Sequence, residues 1–327
     1  MPFPSLGELA RRGLEGLLDP LFALVDPTRR TSLLYLGGAG LLAAFVWLAR
    51  TRRLRGLVRY LFPRRVWLHR SALLDYRLLF VRAVLRHTLL WPLAFSEVAV
   101  AVTLLSRLSA HIAPPTPSSL ADAWIVALLS VSVFVAEDLA RFLVHLAAHR
   151  VPALWELHKV HHSAEVMTPL TVQRAHPLES VVMRAGAQLA VGLTLGVFVW
   201  LFPGRIRAWE IGGVYGLSFL WTLLGANLRH SHVWLSYGPR IEHIFISPAQ
   251  HQIHHANHPD HYDRNFGSAL ALWDWAYGSL AVTTSERPPL RFGLPPAERN
   301  HGDTVGSALV DPVVAAVRTL WPRPRGR

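Results

Sequence analysis

Long apolar runs alternate with arginine-rich or polar segments along this chain. Five windows approach or reach the roughly 20 residues that a helix needs to cross a bilayer: 31–49, 87–105, 120–135, 181–202 and 211–226. The third continues as helix beyond its apolar part, through Glu137 and Asp138 towards His149. Ahead of the first run, Leu6, Leu9, Leu14, Leu17 and Leu18 recur at near-helical spacing. That spacing fits an amphipathic helix lying on a membrane and an ordinary packed helix equally well. Acids and bases mixed before residue 31 argue against a cleavable signal peptide.

Charge orients these spans. The segment after the first run carries Arg50, Arg52, Arg53, Arg55, Arg59, Arg64, Arg65 and Arg70, so the positive-inside rule places it in the cytoplasm. Counting forward, the turn at 203–208 faces out, against the mild opposition of Arg205 and Arg207, and both histidine-rich stretches fall on the cytoplasmic side. The expected fold is therefore an all-α integral membrane protein of about four to five spanning helices, with a helical histidine cage at the cytoplasmic face. Four crossings with one re-entrant segment is the alternative count.

Composition supports a membrane class. Of 327 residues, 51% are hydrophobic and 17% charged, with a mean hydropathy of +0.28, whereas about a quarter of a soluble domain is charged. The formal charge of +12 is almost wholly arginine set beside apolar runs. That pattern fits anionic lipid headgroups and argues against nucleic acid, which would need a basic stripe on a water-soluble surface. Lys159 is the sole lysine, and with abundant Arg and Ala it points to a GC-rich bacterial genome, hence to a bacterial inner membrane. There is no cysteine, which excludes iron–sulfur clusters, haem–thiolate chemistry and thiol nucleophiles. Any metal must be held by imidazole or oxygen.

Histidine, at 18 copies, supplies the candidate chemistry. The first cluster is His145-x-x-x-His149 followed by His158-x-x-His161-His162. The second is His230-x-His232 followed by His251-x-x-His254-His255. Positions three or four apart share a helix face, so each motif is a ready-made chelate. Ten imidazoles exceed the coordination sphere of one ion, which implies two metals. Imidazole suits zinc, copper, iron and nickel alike. A zinc peptidase needs Glu directly after the first His of His-x-x-x-His, and Leu146 stands there. His69, His87 and His111 read as isolated structural residues, and His258 and His261 as solvated loop residues beside Asp260 and Asp263.

These motifs resemble the fatty acid hydroxylase superfamily, which includes the sterol desaturases. The likeness runs over 138–280. It takes in Asp138 ahead of His145, Arg174-Ala-His176-Pro177-Leu-Glu179, and Asn265-Phe-Gly267 leading into Trp273-Asp274. Leu146, Phe142 and Leu143 depart from the residues common at those places, and His232 stands where Asn is frequent.

The resemblance implies a di-iron centre, with zinc as a substitute on isolation, that uses oxygen and two electrons to hydroxylate or desaturate a lipid drawn from the bilayer. Without a nucleotide fingerprint or haem domain in the sequence, an external donor (ferredoxin, cytochrome or reductase) is expected. Asp138, His176, Asn227, Asp263 and Asp274 are candidate supporting residues or further ligands. The expected division is an interfacial segment at 1–30, a membrane-embedded di-metal catalytic domain at 31–285, and a Pro/Arg-rich extension at 286–327. The competing class is a zinc or iron transporter or metal-binding protein, whose ligands would be spread through the spans.

Overall fold

A computed structural model describes residues 4–90, 93, 96–116, 118–206, 215–298 and 303–320. Regular structure among them is helical, and the sole β pairing is an isolated bridge between Phe245 and Leu270. The principal helices are α1 (Leu6–Phe22), α2 (Leu33–Thr51), α3 (Arg70–Thr88), α4 (Glu97–His111), α5 (Asp122–Arg150), α6 (Pro152–His162), α7 (Pro177–Leu201), α8 (Gly216–Leu223), α9 (Pro248–His254), α10 (Leu272–Tyr277) and α11 (Val305–Leu320).

Three of these are long and apolar enough to cross a membrane: α2, α5 and α7. Only 22%, 22% and 28% of their apolar windows are buried in protein, so the remaining apolar surface is left for lipid to cover. The other two expected spans differ. The second, 87–105, is divided between the end of α3 and the start of the 15-residue α4, and residues 91–92 and 94–95 of it lie outside the described residues. The fifth, 211–226, has 211–214 outside the described residues, as is Arg207. What is described of it is the eight-residue α8 and the start of a 3-10 turn, Ala226–His230.

The orientation of α2 also departs from the expected topology, in which only its C-terminal end lies on the cage side. Arg30, just ahead of α2, bonds the Ala226 carbonyl at 3.1 Å, and Arg50 at its far end bonds the Trp234 carbonyl at 3.2 Å. Between those contacts Ala39, Ala43 and Val46 pack on Leu228 and Val233. Helix α2 thus runs alongside the segment carrying His230 for its whole length.

Prolines set the turns that matter for the site. Val151 precedes Pro152 and is held extended (φ −93°, ψ 115°), which ends α5 and turns the chain directly into α6. Pro177 and Pro248 each occupy the first turn of a helix, where a missing N–H costs nothing. Helix α11 packs on α6, with Ala308 joining Leu74, Leu78 and Val160 in one cluster. The segment expected as a surface extension is therefore built into the fold, apart from 299–302 and 321–327, which lie outside the described residues.

Helices α4 and α7 meet through Gly192-x-x-x-Gly196, small residues that let two backbones approach. A Cβ on Gly192 would lie 2.5 Å from the Glu97 carbonyl oxygen, and one on Gly196 would lie 2.9 Å from that of Ala101. Gly192→Leu is therefore expected to destabilise the protein by about 1–3 kcal/mol, the usual range for overpacking. Gly37→Ala, with nothing within 4 Å, should leave the thermal midpoint unchanged or raised. Thermal unfolding in detergent compares the two.

Candidate metal centre

Nine of the ten expected histidines converge, and they do so as two groups. His145, His149, His158, His162 and His254 form one, and His161, His230, His251 and His255 the other, with the ligand atoms of each group within 4.8 Å of one another. The two His-x-x-His-His motifs interlock. Helix α6 gives its i, i+4 pair, His158 and His162, to the first group and His161 to the second. At α9 the pair is His251 and His255, which join the second group while His254 crosses to the first. Sequence spacing left the partner of His158 open between His161 and His162. The helix settles it, because at about 100° per residue His162 falls about 40° to one side of His158 and His161 about 60° to the other, towards the second group.

Ring tautomers are fixed from outside. Nδ1 of His145 donates to the Phe266 carbonyl (2.7 Å), that of His161 to Arg174 (2.9 Å), and that of His254 to Arg264 (2.8 Å). Nδ1 of His158 donates to the Glu179 carboxylate at 2.7 Å. Each of these rings therefore presents a bare Nε2 lone pair inward. Burial keeps the rings neutral: it is the main force lowering His161 to about 4 and His254 to about 3, and it holds His162, His230, His251 and His255 well below the ordinary imidazole range.

Such an arrangement fits a metal. His145 Nε2 and His158 Nε2 face one another at 3.2 Å, both as acceptors with no proton between them. His230 Nε2 lies 3.1 Å from Nε2 of His161, 3.1 Å from that of His255 and 3.0 Å from that of His251. Nε2 of His149 and of His254 are buried without a partner. At a metal–nitrogen distance of about 2.1 Å, adjacent ligands at right angles are about 3.0 Å apart and tetrahedral ones about 3.4 Å. The observed spacings of 3.0–3.2 Å fall within that range. Five donors in the first group also exceed the four of a closed zinc site.

The supporting residues act differently from expectation. Asp138 does not reach a ring, since seven residues of helix put it about 10 Å from His145. It accepts instead from the amides of Ala269 (2.8 Å) and Leu270 (2.9 Å) and from Trp273 Nε1 (3.0 Å). Asp274 accepts from the amides of Phe266 and Gly267, both at 2.7 Å. The two carboxylates thus clamp the 266–270 loop, whose Phe266 carbonyl orients His145. Asp263 pairs with Arg150 at 2.9 Å and stands 3.9 Å from His149 Nδ1.

Three others lie off the cluster. His232 points its Nε2 at the Tyr60 carbonyl (2.6 Å) and stands in neither histidine group. His176 caps α7, accepting from the Leu178 amide and donating to the Leu309 carbonyl at 3.0 Å. Asn227 donates to the Arg30 carbonyl at 2.8 Å.

Two residues that spacing did not single out for roles are central. Glu179, on the first turns of α7, holds His158, and no sequence rule links positions 158 and 179. Arg174 is almost wholly buried and joins α6 to α3 through Val160, Ser163, Ser71 and Asp75, the last at 3.0 Å. A cavity of about 250 Å³ opens onto His149, His162, His254 and His255, with Trp155, Leu294 and Pro295 as apolar wall and Asn257, Tyr262 and Asp263 at its polar side.

Residues 130–279, which include all nine converging histidines, match the fatty acid hydroxylase family. Alkylglycerol monooxygenase of Homo sapiens is 26% identical over 163 residues, 50% of this chain and 32% of that protein. Ornithine lipid hydroxylase of Rhizobium tropici is 27% identical over 162 residues, 49% of this chain and 44% of its own length. Lathosterol oxidase of Mus musculus is 25% identical over 165 residues, 50% of this chain and 49% of the relative. The chain thus spans less than half the length of these relatives. No solved structure matches it.

Loss of the carboxylate behind His158 should be felt by the metal. Glu179→Gln is expected to weaken metal retention by about 10–100-fold. His232→Ala should leave metal content unchanged. Metal analysis after dialysis against a chelator checks both, and metal loss in His232→Ala would return that ring to the coordination sphere.

Proposed function

Residues 130–279 make this chain a member of the fatty acid hydroxylase superfamily, and on that premise we propose that it is a membrane-bound di-iron oxygenase that hydroxylates or desaturates a lipid. The observation that carries the proposal is the pair of all-imidazole groups, in which bonds from outside turn the free Nε2 of His145, His158, His161 and His254 inward. His145, His149, His158, His162 and His254 would hold one iron, and His161, His230, His251 and His255 the other. Iron so held supplies oxygen reduction and the oxidising power to remove hydrogen from an unactivated C–H bond.

The chain supplies the rest. Trp155, Leu294 and Pro295 give the cavity a dry wall that would hold an alkyl segment against the histidine floor and exclude bulk water. Glu179 and the Phe266, Arg174 and Arg264 carbonyls keep four Nδ1 protons in place, so that those rings stay neutral ligands. Neutral rings leave the charge of the metals uncompensated except by Glu179, which favours the reduced ions that oxygen chemistry requires. Two electrons must come from an external donor, a ferredoxin, cytochrome or reductase. The arginine-rich segment that follows α2 adjoins the stretch after His230, where Arg50 bonds the Trp234 carbonyl, and supports a cage on the cytoplasmic face. The scarcity of lysine beside abundant arginine and alanine supports a bacterial inner membrane.

Convergence of the histidines in one layer argues against a transporter, whose ligands would be strung along the spans. The named relatives act on an alkylglycerol, an ornithine lipid and lathosterol, which supports a lipid substrate without choosing among lipids. The test supplies reduced enzyme in membranes with isotopically labelled dioxygen and reads the lipid extract by mass spectrometry. A lipid gaining one labelled oxygen, or losing two hydrogens with consumption of oxygen, is the expected product, absent in His251→Ala. Turnover of a water-soluble metabolite alone would contradict it.

A further inference from the structure

A second and larger cavity, of about 420 Å³, lies between α1, α3, α5 and α7 and is lined by Arg29, Arg30, Arg82, Arg86, Arg141 and Arg184. None of the nine converging histidines lines it. Its charge is not balanced by the protein. Asp19 takes Arg86 (2.5 Å) and Arg29 (3.5 Å), Asp26 also takes Arg29 (3.3 Å), and Glu137 takes Arg141 (2.6 Å). No carboxylate lies within ion-pair distance of Arg30, Arg82 or Arg184 among the described residues.

Those three guanidiniums are also short of hydrogen-bond acceptors. Arg30 has the Ala226 carbonyl, and Arg82 has Gln173 and Ser180 Oγ (2.7 Å). Yet Nε of both is buried without a partner. Arg184, exposed on α7, makes no hydrogen bond or ion pair among the described residues. Burial, with Arg229 and Arg141 nearby, lowers Arg30 to about 9. Burial also lowers Arg82 to about 10, with Arg86 and Arg184 adding to it and Glu179 opposing it. Crowded cations that lose basicity gain from an anion placed among them.

The walls say which kind of anion. Leu79, Leu90, Leu93 and Val181 line the same space, so the ligand carries apolar matter beside its charge. Helix α1 contributes Asp19 and Pro20, and its C-cap Ala23, to the cavity while turning Leu14, Leu17, Leu21 and Phe22 outward, each at least half exposed. A helix with that face lies in the headgroup layer with its apolar side among acyl chains. Arg184 sits two turns from the N-terminal end of spanning helix α7.

We propose that this cavity is a binding site for the phosphate headgroup of an anionic membrane lipid, held by Arg30, Arg82 and Arg184. Planar guanidiniums suit bidentate recognition of phosphate oxygens. Arg30 and Arg82 fall outside the stretch that matches the family and Arg184 falls within it, so the site joins flanking helices to the matched region. It does not depend on what the metal centre does.

The test uses the intact, metal-loaded protein in detergent and native mass spectrometry, with phosphatidylglycerol, phosphatidylcholine and inorganic phosphate as probes. The wild type should retain one phosphatidylglycerol per chain under conditions that strip phosphatidylcholine. Arg184→Gln, which removes no bond of the fold, should weaken that retention at least about tenfold, as expected for one lost charge-assisted contact. Arg59→Gln, on the exposed segment after α2, should not. Unchanged metal content shows that each variant is folded, and Arg30→Gln repeats the test from the opposite wall. Equal retention of both lipids, wild-type retention in Arg184→Gln and Arg30→Gln, or displacement by inorganic phosphate as readily as by the lipid would overturn the proposal.

Discussion

Two interlocked groups of buried imidazoles form an arrangement that a metal would complete. His145 and His158, whose Nδ1 protons go to the Phe266 carbonyl and to Glu179, turn two bare Nε2 lone pairs on one another at 3.2 Å, which repel unless a cation lies between them. A metal ion is the cation that fits an all-imidazole donor set. The rest of the structure holds the rings in that otherwise unfavourable arrangement until a metal binds, and metal affinity of such a site is then part of the folding free energy.

The means of holding them is a set of buried charges, each fully engaged. Asp138 and Asp274 fix one loop from two sides, and Arg174 with Asp75 fixes α6 against α3. Glu242 does the same for α9: it accepts from Ser236, Tyr237, Ser247 and Thr283, and Ser247 in turn caps the helix that carries His251, His254 and His255. A buried charge without such partners would cost several kcal/mol, so these residues are as constrained as the ligands themselves.

Local periodicity made part of this legible. The spans at 31–49, 120–135 and 181–202 appear as α2, α5 and α7, because a run of apolar residues has few other ways to satisfy its backbone. Chelate spacing likewise gave nine of the converging rings. What local pattern could not give was anything set by distant contact. His232 matches its neighbours by spacing but meets the Tyr60 carbonyl. Asp138 shares a face with His145 but sits too far along it. Glu179 and the Phe266 carbonyl orient ligands from 21 and 121 residues away, separations at which no periodicity operates. The lie of α2 depends on Arg30 and Arg50 reaching carbonyls nearly 200 residues on.

Donor type narrows the metal but does not by itself select it, since imidazole accepts several divalent ions. Five donors in one group exceed the four of a closed zinc site, and the proposed pair of irons rests on the likeness to the fatty acid hydroxylase family. The most direct test is Mössbauer spectroscopy, with metal analysis, on protein produced with enriched iron and purified without oxygen. The account predicts about two high-spin ferrous ions per chain whose spectrum changes on exposure to oxygen. Stoichiometric zinc that persists after reconstitution with ferrous iron would contradict it.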